Sequence, residues 1–284
     1  MTVSLEDIRQ AATRIKPYAH RTPVLTNESL NQQVGAQVYL KCENLQKVGA
    51  FKFRGASNAV WSLTDEEAAR GVVTHSSGNH AQALALAAKM RGIPAYIVMP
   101  SNAPQVKKNA VAGYGGQITF CEPTLEARES TMERIRSDTG ATVVHPYDNK
   151  YVIAGQGTAA LELLEDVSDL DVIIAPVGGG GLLSGTSIAA TETQKGIRVI
   201  AASPDAVAGR SRSAANRRHL PSGIRCEPAR ARRSGPPPRR ARAPNDAARP
   251  TANDRDADRI RRSPSVVSPF RHAPRVSRCA AGIR

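Results

Sequence analysis

Three short stretches of this chain place residue types where they could do chemistry. The first is GAFKFRGA, residues 49–56, which sets Lys52 between Phe51 and Phe53, two of only four phenylalanines. Most lysines lie in water. A lysine kept in apolar company is pushed toward its neutral amine, because desolvation disfavours the ammonium ion. A neutral amine is what condenses with an aldehyde. The second stretch is SSGNHAQALALAA, from Ser76 to Ala88. A strand that ends at Ser76 and Ser77, turns at Gly78 and enters a helix at Asn79 presents backbone N–H groups to a carboxylate. Simple capping also explains a Ser or Asn at a helix start, but the order Ser-Ser-Gly-Asn-His is far more specific. The third is VIIAPVGGGGLLSG, in which Gly178, Gly179, Gly180 and Gly181 separate an apolar strand from a helix. Only glycine lets several amides converge on one anion without Cβ atoms in the way. A flexible hinge fits this place less well than a phosphate cradle. No Gly-Lys-Ser/Thr follows, so this is not a P-loop, and the G-x-G-x-x-G match is an accident of the glycine run.

An amine suited to an aldehyde, a phosphate cradle and an anion-binding turn form one constellation. Together they point to a phosphorylated aldehyde, pyridoxal 5′-phosphate. Residues so far apart in the chain need a scaffold to join them, and the pattern up to about residue 204 supplies one. Strands are expected at 38–43, 71–77, 95–100, 117–122, 142–146, 171–177 and 198–204. Helices are expected after Lys52, at 79–92, 104–115, 125–140 and 157–167, and after the glycine run. Short apolar strands alternating with helices predict an α/β fold of parallel-type sheets flanked by helices, joined by right-handed crossovers. The number of units predicts two lobes.

The net charge of +14 invites a nucleic-acid reading, but its distribution opposes it. Residues 1–202 hold 19 Lys+Arg against 19 Asp+Glu, so the whole excess lies in 203–284. All 20 basic residues of that tail are arginine, and 11 of the 19 prolines fall there. It has nine Leu, Ile, Val and Phe in 82 residues, too few to offset chain entropy by burial. The tail is therefore expected to be disordered. It reads as a basic nucleic-acid-binding tail, as a linker, or as a frameshifted product of GC-rich DNA. The abrupt break at the end of a strand and the complete loss of lysine favour the frameshift. MTVSLEDIRQ is acidic and lacks the apolar core of a signal peptide. Cys42, Cys121, Cys226 and Cys279 show neither metal spacing nor a disulfide framework. A cytoplasmic protein without membrane spans is expected.

Over residues 5–202 the chain resembles the serine/threonine dehydratase and serine racemase family, of the tryptophan-synthase-β-like fold (fold type II). The likeness rests on HRTPVLTNESLN, LKCENLQKVGAFKFRGA, SSGNHAQALALAAK, GIPAYIVMP, VIAGQGTAALEL and PVGGGGLLSG. It implies a large cofactor-binding lobe from 1–70 and 149–202, a small lobe from 71–148, and a non-family tail at 203–284. By motif, Lys52 resembles the Schiff-base lysine, with Phe51 packed beside the cofactor ring. Asn79 is similar to the residue that bonds the ring's 3-oxygen. Gly178, Gly179, Gly180, Gly181 and Leu182 match the phosphate-binding amides. Ser77 resembles the serine that racemases use on the face opposite the lysine. Ser76, Ser77, Gly78 and His80 would shape the substrate-carboxylate pocket.

The activity so implied is conversion of L-serine or L-threonine to the 2-oxo acid and ammonia, with serine racemisation or 3-hydroxyaspartate dehydration as alternatives. An inactive truncated remnant and a nucleic-acid binder are the readings from other classes. The partner is a small hydroxy amino acid, and the intact family fold is expected to form a homo-oligomer. Ala50 stands where many members have serine, and Tyr147 in HPYDN where animal racemases carry an asparagine that contacts substrate. The family's divalent-cation site begins at a glutamate. Ser203 occupies that place and no acidic pair follows, so no intact metal site is expected. The family's C-terminal Ser-Gly-Gly-Asn segment is absent, so the large lobe is expected to lack its C-terminal part.

Overall fold

The computed structural model describes residues 2–203 and 277–282, which fall in one unit of the fold. In chain order, α1 (Leu5–Ile15), β1 (Val24–Thr26), α2 (Glu28–Val34) and β2 (Ala36–Lys41) lead to α3 (Lys52–Trp61) and α4 (Asp65–Arg70). Then come β3 (Val72–His75), α5 (Asn79–Arg91), β4 (Ala95–Pro100), α6 (Gln105–Gly113), β5 (Gln117–Cys121), α7 (Leu125–Thr139) and β6 (Thr142–Val143). The chain continues through α8 (Lys150–Asp166), β7 (Val172–Pro176), α9 (Gly181–Thr193), β8 (Arg198–Ala202) and β9 (Ser277–Gly282).

Two sheets result. One has the order β5-β4-β3-β6 and is parallel throughout. The other has the order β1-β2-β9-β7-β8, with only the β1–β2 pair antiparallel. This is the expected α/β architecture of parallel sheets flanked by helices. Phe53, Leu84, Ile97, Met99 and Val111 pack into one apolar core beside the four-stranded sheet. Leu163, Leu170, Ile173 and Leu183 build a second beside the five-stranded one.

Residues 277–282 correct one expectation. They lie in the tail expected to be disordered, yet they form β9, which pairs with β2 from Ala36 to Lys41 and with β7 from Val172 to Ile174. Without β9 the facing backbone groups of β2 and β7 would lack partners, and ladder pairing does not require apolar side chains. Residues 204–276 and 283–284, the rest of that tail, lie outside the described residues.

Helix α8 also begins earlier than expected, at Lys150 rather than 157. Asn149 caps it: its side-chain oxygen accepts from the N–H groups of Tyr151 and Val152. Gly155 and Gly157 lower helix propensity in isolation, but both sit where other helices touch. A Cβ on Gly155 would lie 2.6 Å from the Arg54 carbonyl oxygen on α3. One on Gly157 would lie 2.9 Å from the Gly185 oxygen on α9. Gly185 reciprocates, with its Cβ position 2.5 Å from the Ile153 oxygen. Three helices thus approach to backbone contact. Gly185→Ala forces α8 and α9 apart and is expected to destabilise the fold by about 1–3 kcal/mol. A urea midpoint shifted at unchanged slope would register this, and an unchanged midpoint would refute the close-contact reading.

Strand β6 stops at Val143, short of the expected 146. Beyond it the backbone turns: His145 Nδ1 accepts from the N–H groups of Tyr147 and Asp148, at 3.4 and 2.9 Å, and Pro146 has no N–H for a ladder.

Candidate active site

The turn before α3 is tight. Val48 and Gly49 both have positive φ, 58° and 67°, which a β-branched valine rarely adopts. This turn delivers Lys52 as the first residue of α3, with its side chain half-buried. The Lys52 amine donates to the Pro146 carbonyl oxygen at 2.7 Å and lies 5.3 Å from the Phe51 ring centre. Burial lowers its pKa from 10.5 to about 8. The two phenylalanines part company here. Phe53 is fully buried in the core, whereas Phe51 stays half-buried beside the amine.

Arg54 secures the same helix from beneath. It is 0% exposed, and its guanidinium spans Glu43 (2.8 Å to each oxygen) and Glu162 (2.7 and 2.9 Å). Lys41 donates to Glu162 at 2.7 Å and to the Thr22 carbonyl oxygen at 2.7 Å. Two cations and two anions balance in the interior. Burial pushes the Glu162 carboxyl up, but Arg54 and Lys41 outweigh it and hold its pKa below the usual value.

At the end of β3 the Ser76–His80 turn opens α5. The Gly78 N–H donates to Ser76 Oγ at 3.3 Å, and the Ser76 N–H donates to the Val98 oxygen on β4. The N-cap residue is Gly78, and no side chain caps this helix. Its first-turn N–H groups therefore meet no capping side chain, as anion binding requires. Asn79 is exposed, and Ser77 is half-buried. His80 is 2% exposed and bonds the Val144 carbonyl oxygen through Nε2 at 3.0 Å. Burial first, and the nearby Lys52 charge second, drop its pKa to about 3. The ring is thus neutral with Nε2 as donor, which leaves Nδ1 a buried acceptor without a protein partner.

The glycine run links β7 to α9. Gly180, at φ 95°, is the N-cap of α9. A Cβ on Gly179 would overlap the Tyr147 ring, and one on Gly181 would lie 2.8 Å from Gln156 Oε1. Gly178 is open, with nothing near its Cβ position, and Leu182 is half-buried. Side chains at 179 and 181 would collide with Tyr147 and Gln156, so the run passes these residues as bare backbone, the form an anion cradle takes.

The turn 145–148 joins these parts. Pro146 receives the Lys52 amine, and Tyr147 lies against Gly179 and Gly181. Lys52, His80 and the glycine run therefore meet around one turn. Among the described residues, Ser77 and Asn79 make no side-chain hydrogen bond to Lys52 or to the glycine run. His145 stacks edge-on against His75 and Tyr147, at 5.7 and 4.5 Å between ring centres. Burial, then His75, holds its pKa below the ordinary 6.5. Its Nδ1 accepts N–H bonds only while deprotonated, so these bonds are present at neutral pH and lost as pH falls through the lowered value. Amide protection at Tyr147 and Asp148 is expected to fall as the ring protonates, at a pH below the ordinary 6.5. Hydrogen exchange corrected for intrinsic rate measures it, and constant protection would refute the latch.

Sequence reasoning missed Pro146, whose contribution is a backbone oxygen, and Gln156. The readable signal for Gln156 was a polar residue between two glycines inside an apolar helix.

Residues 15–247 match the model of the family described as pyridoxal-phosphate dependent enzyme. The chain belongs to this family. Serine racemase of Dictyostelium discoideum is 56% identical over 203 residues, covering 72% of this chain and 63% of the relative. The β-hydroxyaspartate dehydratase of Paracoccus denitrificans (strain Pd 1222) is 54% identical over 200 residues, covering 70% and 64%. The crystal structure of threonine deaminase from T.th. superposes with a TM-score of 0.68 at 40% identity, covering 72% of this chain and 66% of that one. The chain thus spans about three fifths of the length of the curated relatives it matches.

Members of the pyridoxal-phosphate dependent family use that cofactor, and the residues present fit it. A glycine run with no room for a Cβ at 179 or 181, a lysine of lowered pKa and buried polar atoms lacking partners among the described residues all adjoin one turn. Among the described residues no group of three His, Cys, Asp or Glu could hold a metal ion, and no helix is long and apolar enough to cross a membrane. The residues following Ser203, where the family's cation site would lie, fall outside the described residues.

Proposed function

We propose that this chain is a pyridoxal-phosphate dependent ammonia-lyase that converts L-threonine or L-serine to the 2-oxo acid and ammonia. One observation carries the reading. The Lys52 amine, with its pKa lowered to about 8, is held by Pro146 on the turn that also backs the glycine run. In this reading the large lobe, 1–70 and 149–202, holds the cofactor, and the small lobe, 71–148, presents the substrate turn.

When bound, pyridoxal phosphate supplies an aldehyde that condenses with amines and a ring that takes up the electron pair left at an α-carbon. The chain supplies the rest. N–H groups of Gly178 to Leu182 would hold the phosphate. Asn79 would bond the ring's 3-oxygen, and Phe51 would pack beside the ring. Ser76, Ser77, Gly78 and His80 surround the substrate carboxylate, with the free N–H groups of α5 as donors. Lys52, neutral above its lowered pKa, removes the α-proton. Departure of the β-hydroxyl and hydrolysis then give the products.

A second reading, serine racemisation, draws support from the 56% identity to a serine racemase. There Ser77 returns a proton on the face opposite Lys52. Incubation of the cofactor-loaded chain with L-serine, L-threonine and L-threo-3-hydroxyaspartate separates the cases. Ammonia and 2-oxo acid are expected, and D-serine by chiral chromatography would favour racemisation. Cofactor uptake with none of these products would overturn both.

A further inference from the structure

The interior of α8 holds an anomaly that the catalytic reading leaves unused. Gln156 is 0% exposed, yet among the described residues neither its Nε2 nor its Oε1 has a hydrogen-bond partner. Burying an amide with both ends unmade is costly, and such groups normally find partners. The surroundings show where a partner would sit. Oε1 lies 2.8 Å from the Cβ position of Gly181, the first residue of α9. The amide therefore touches the helix start that closes the glycine cradle. The flanking glycines explain how it gets there. Gly155 lets α8 meet α3 at the Arg54 oxygen, and Gly157 lets it meet α9 at the Gly185 oxygen. Gly55 completes the approach, with its Cβ position 3.2 Å from Gln156 Cγ. The Gly-Gln-Gly segment thus holds one rigid amide between the helix bearing Lys52 and the helix bearing the cradle.

We infer that Gln156 is an anion-binding residue of the cradle: its amide N–H donates to a phosphate oxygen, and its carbonyl oxygen faces the α9 start. A neutral amide suits this place. Its donor adds to the backbone N–H groups and the positive helix end, whereas its acceptor is turned to the first residue of α9. The inference rests on the proposed role of Gly178–Gly181.

The test compares two aldehydes that differ only in the phosphate. The full chain, Gln156→Met and Gln156→Glu are titrated with pyridoxal 5′-phosphate and with pyridoxal, and binding is followed by visible absorbance. Methionine and glutamate both approximate the volume of glutamine, so the core stays filled. Pyridoxal 5′-phosphate affinity is expected to fall about tenfold to a hundredfold in Gln156→Met, as for loss of one hydrogen bond to a charged group. The fall should be larger in Gln156→Glu, and pyridoxal affinity should stay within about twofold of the parent, since it lacks the phosphate that this bond serves. Inorganic phosphate should compete with pyridoxal 5′-phosphate in the parent and less so in the variants. Equal losses for both aldehydes, or no loss for either, would overturn the role of Gln156. If Gln156→Met does not fold, Gln156→Glu decides by the same ratio. A parent chain that binds pyridoxal as tightly as its phosphate ester would overturn the cradle itself, a distinct outcome.

Discussion

Lys52→Ala abolishes the visible absorbance that an aldehyde cofactor gains on joining a lysine, and lowers turnover by about three orders of magnitude or more. Lys52→Arg is expected to do the same, because guanidinium stays protonated and cannot act as nucleophile or base. With the glycine run binding phosphate as proposed, the variant should bind the cofactor reversibly. The pH dependence follows from the same amine. Its pKa falls from 10.5 to about 8 on folding. The protonated form dominates below pH 8 and cannot attack, so the rate of cofactor capture rises through pH 8 and then levels. Between the two values the unfolded chain binds more protons than the folded one, so cofactor-free protein gains stability as pH rises there. Stopped-flow absorbance gives the capture rate. A visible band that survives in Lys52→Ala would place the condensing amine elsewhere.

Arg54→Met destabilises the fold by about 3–5 kcal/mol, because it leaves the buried Glu43 carboxylate without a cation and Glu162 with Lys41 alone. That is a large part of the stability of an ordinary domain. Glu43 would keep Thr22 as a donor at 2.6 Å, and Glu162 would keep Lys41, but neither replaces a guanidinium that serves both. Urea denaturation gives the size of the loss. Replacing the trio together, with Glu43→Gln and Glu162→Gln added, should recover part of it. The acid side offers an independent sign. The Glu162 pKa is lowered on folding, so its contribution is present above the ordinary 4.5 and fades as pH falls through the folded value. Arg54→Met should flatten that dependence. A midpoint equal to the parent's would show that the cluster adds no net stability.

Much of this was legible in the chain. Strands β3, β4, β5, β7 and β8 announce themselves as short apolar runs, and Gly92 and Gly140 mark helix ends with the left-handed backbone expected of them. Lys52 and the glycine run stood out because their chemistry depends on local sequence: an amine among phenylalanines, amides without side chains. What escaped depends on tertiary context. The early start of α8 was hidden because two glycines that weaken a lone helix are contact points in this one. Arg54 looked like any basic residue near a helix start, and its carboxylate partners lie at Glu43 and Glu162. The pairing of β9 with β2 and β7 has no apolar pattern to reveal it.

The helix that presents Lys52 ends at Trp61, the only tryptophan in the chain. Tyr18 stacks on its ring at 4.0 Å between centres and 3° between planes, with the Arg91 guanidinium 5.6 Å away. The helical rise sets the Cα atoms of Lys52 and Trp61 about 14 Å apart along the axis. That spacing makes α3 an optical ruler. Ultraviolet light absorbed at one end passes by resonance energy transfer to a chromophore joined at the other. With pyridoxal phosphate joined at Lys52 as proposed, the molecule would carry a gauge of its own cofactor loading, readable as quenched indole emission without any label.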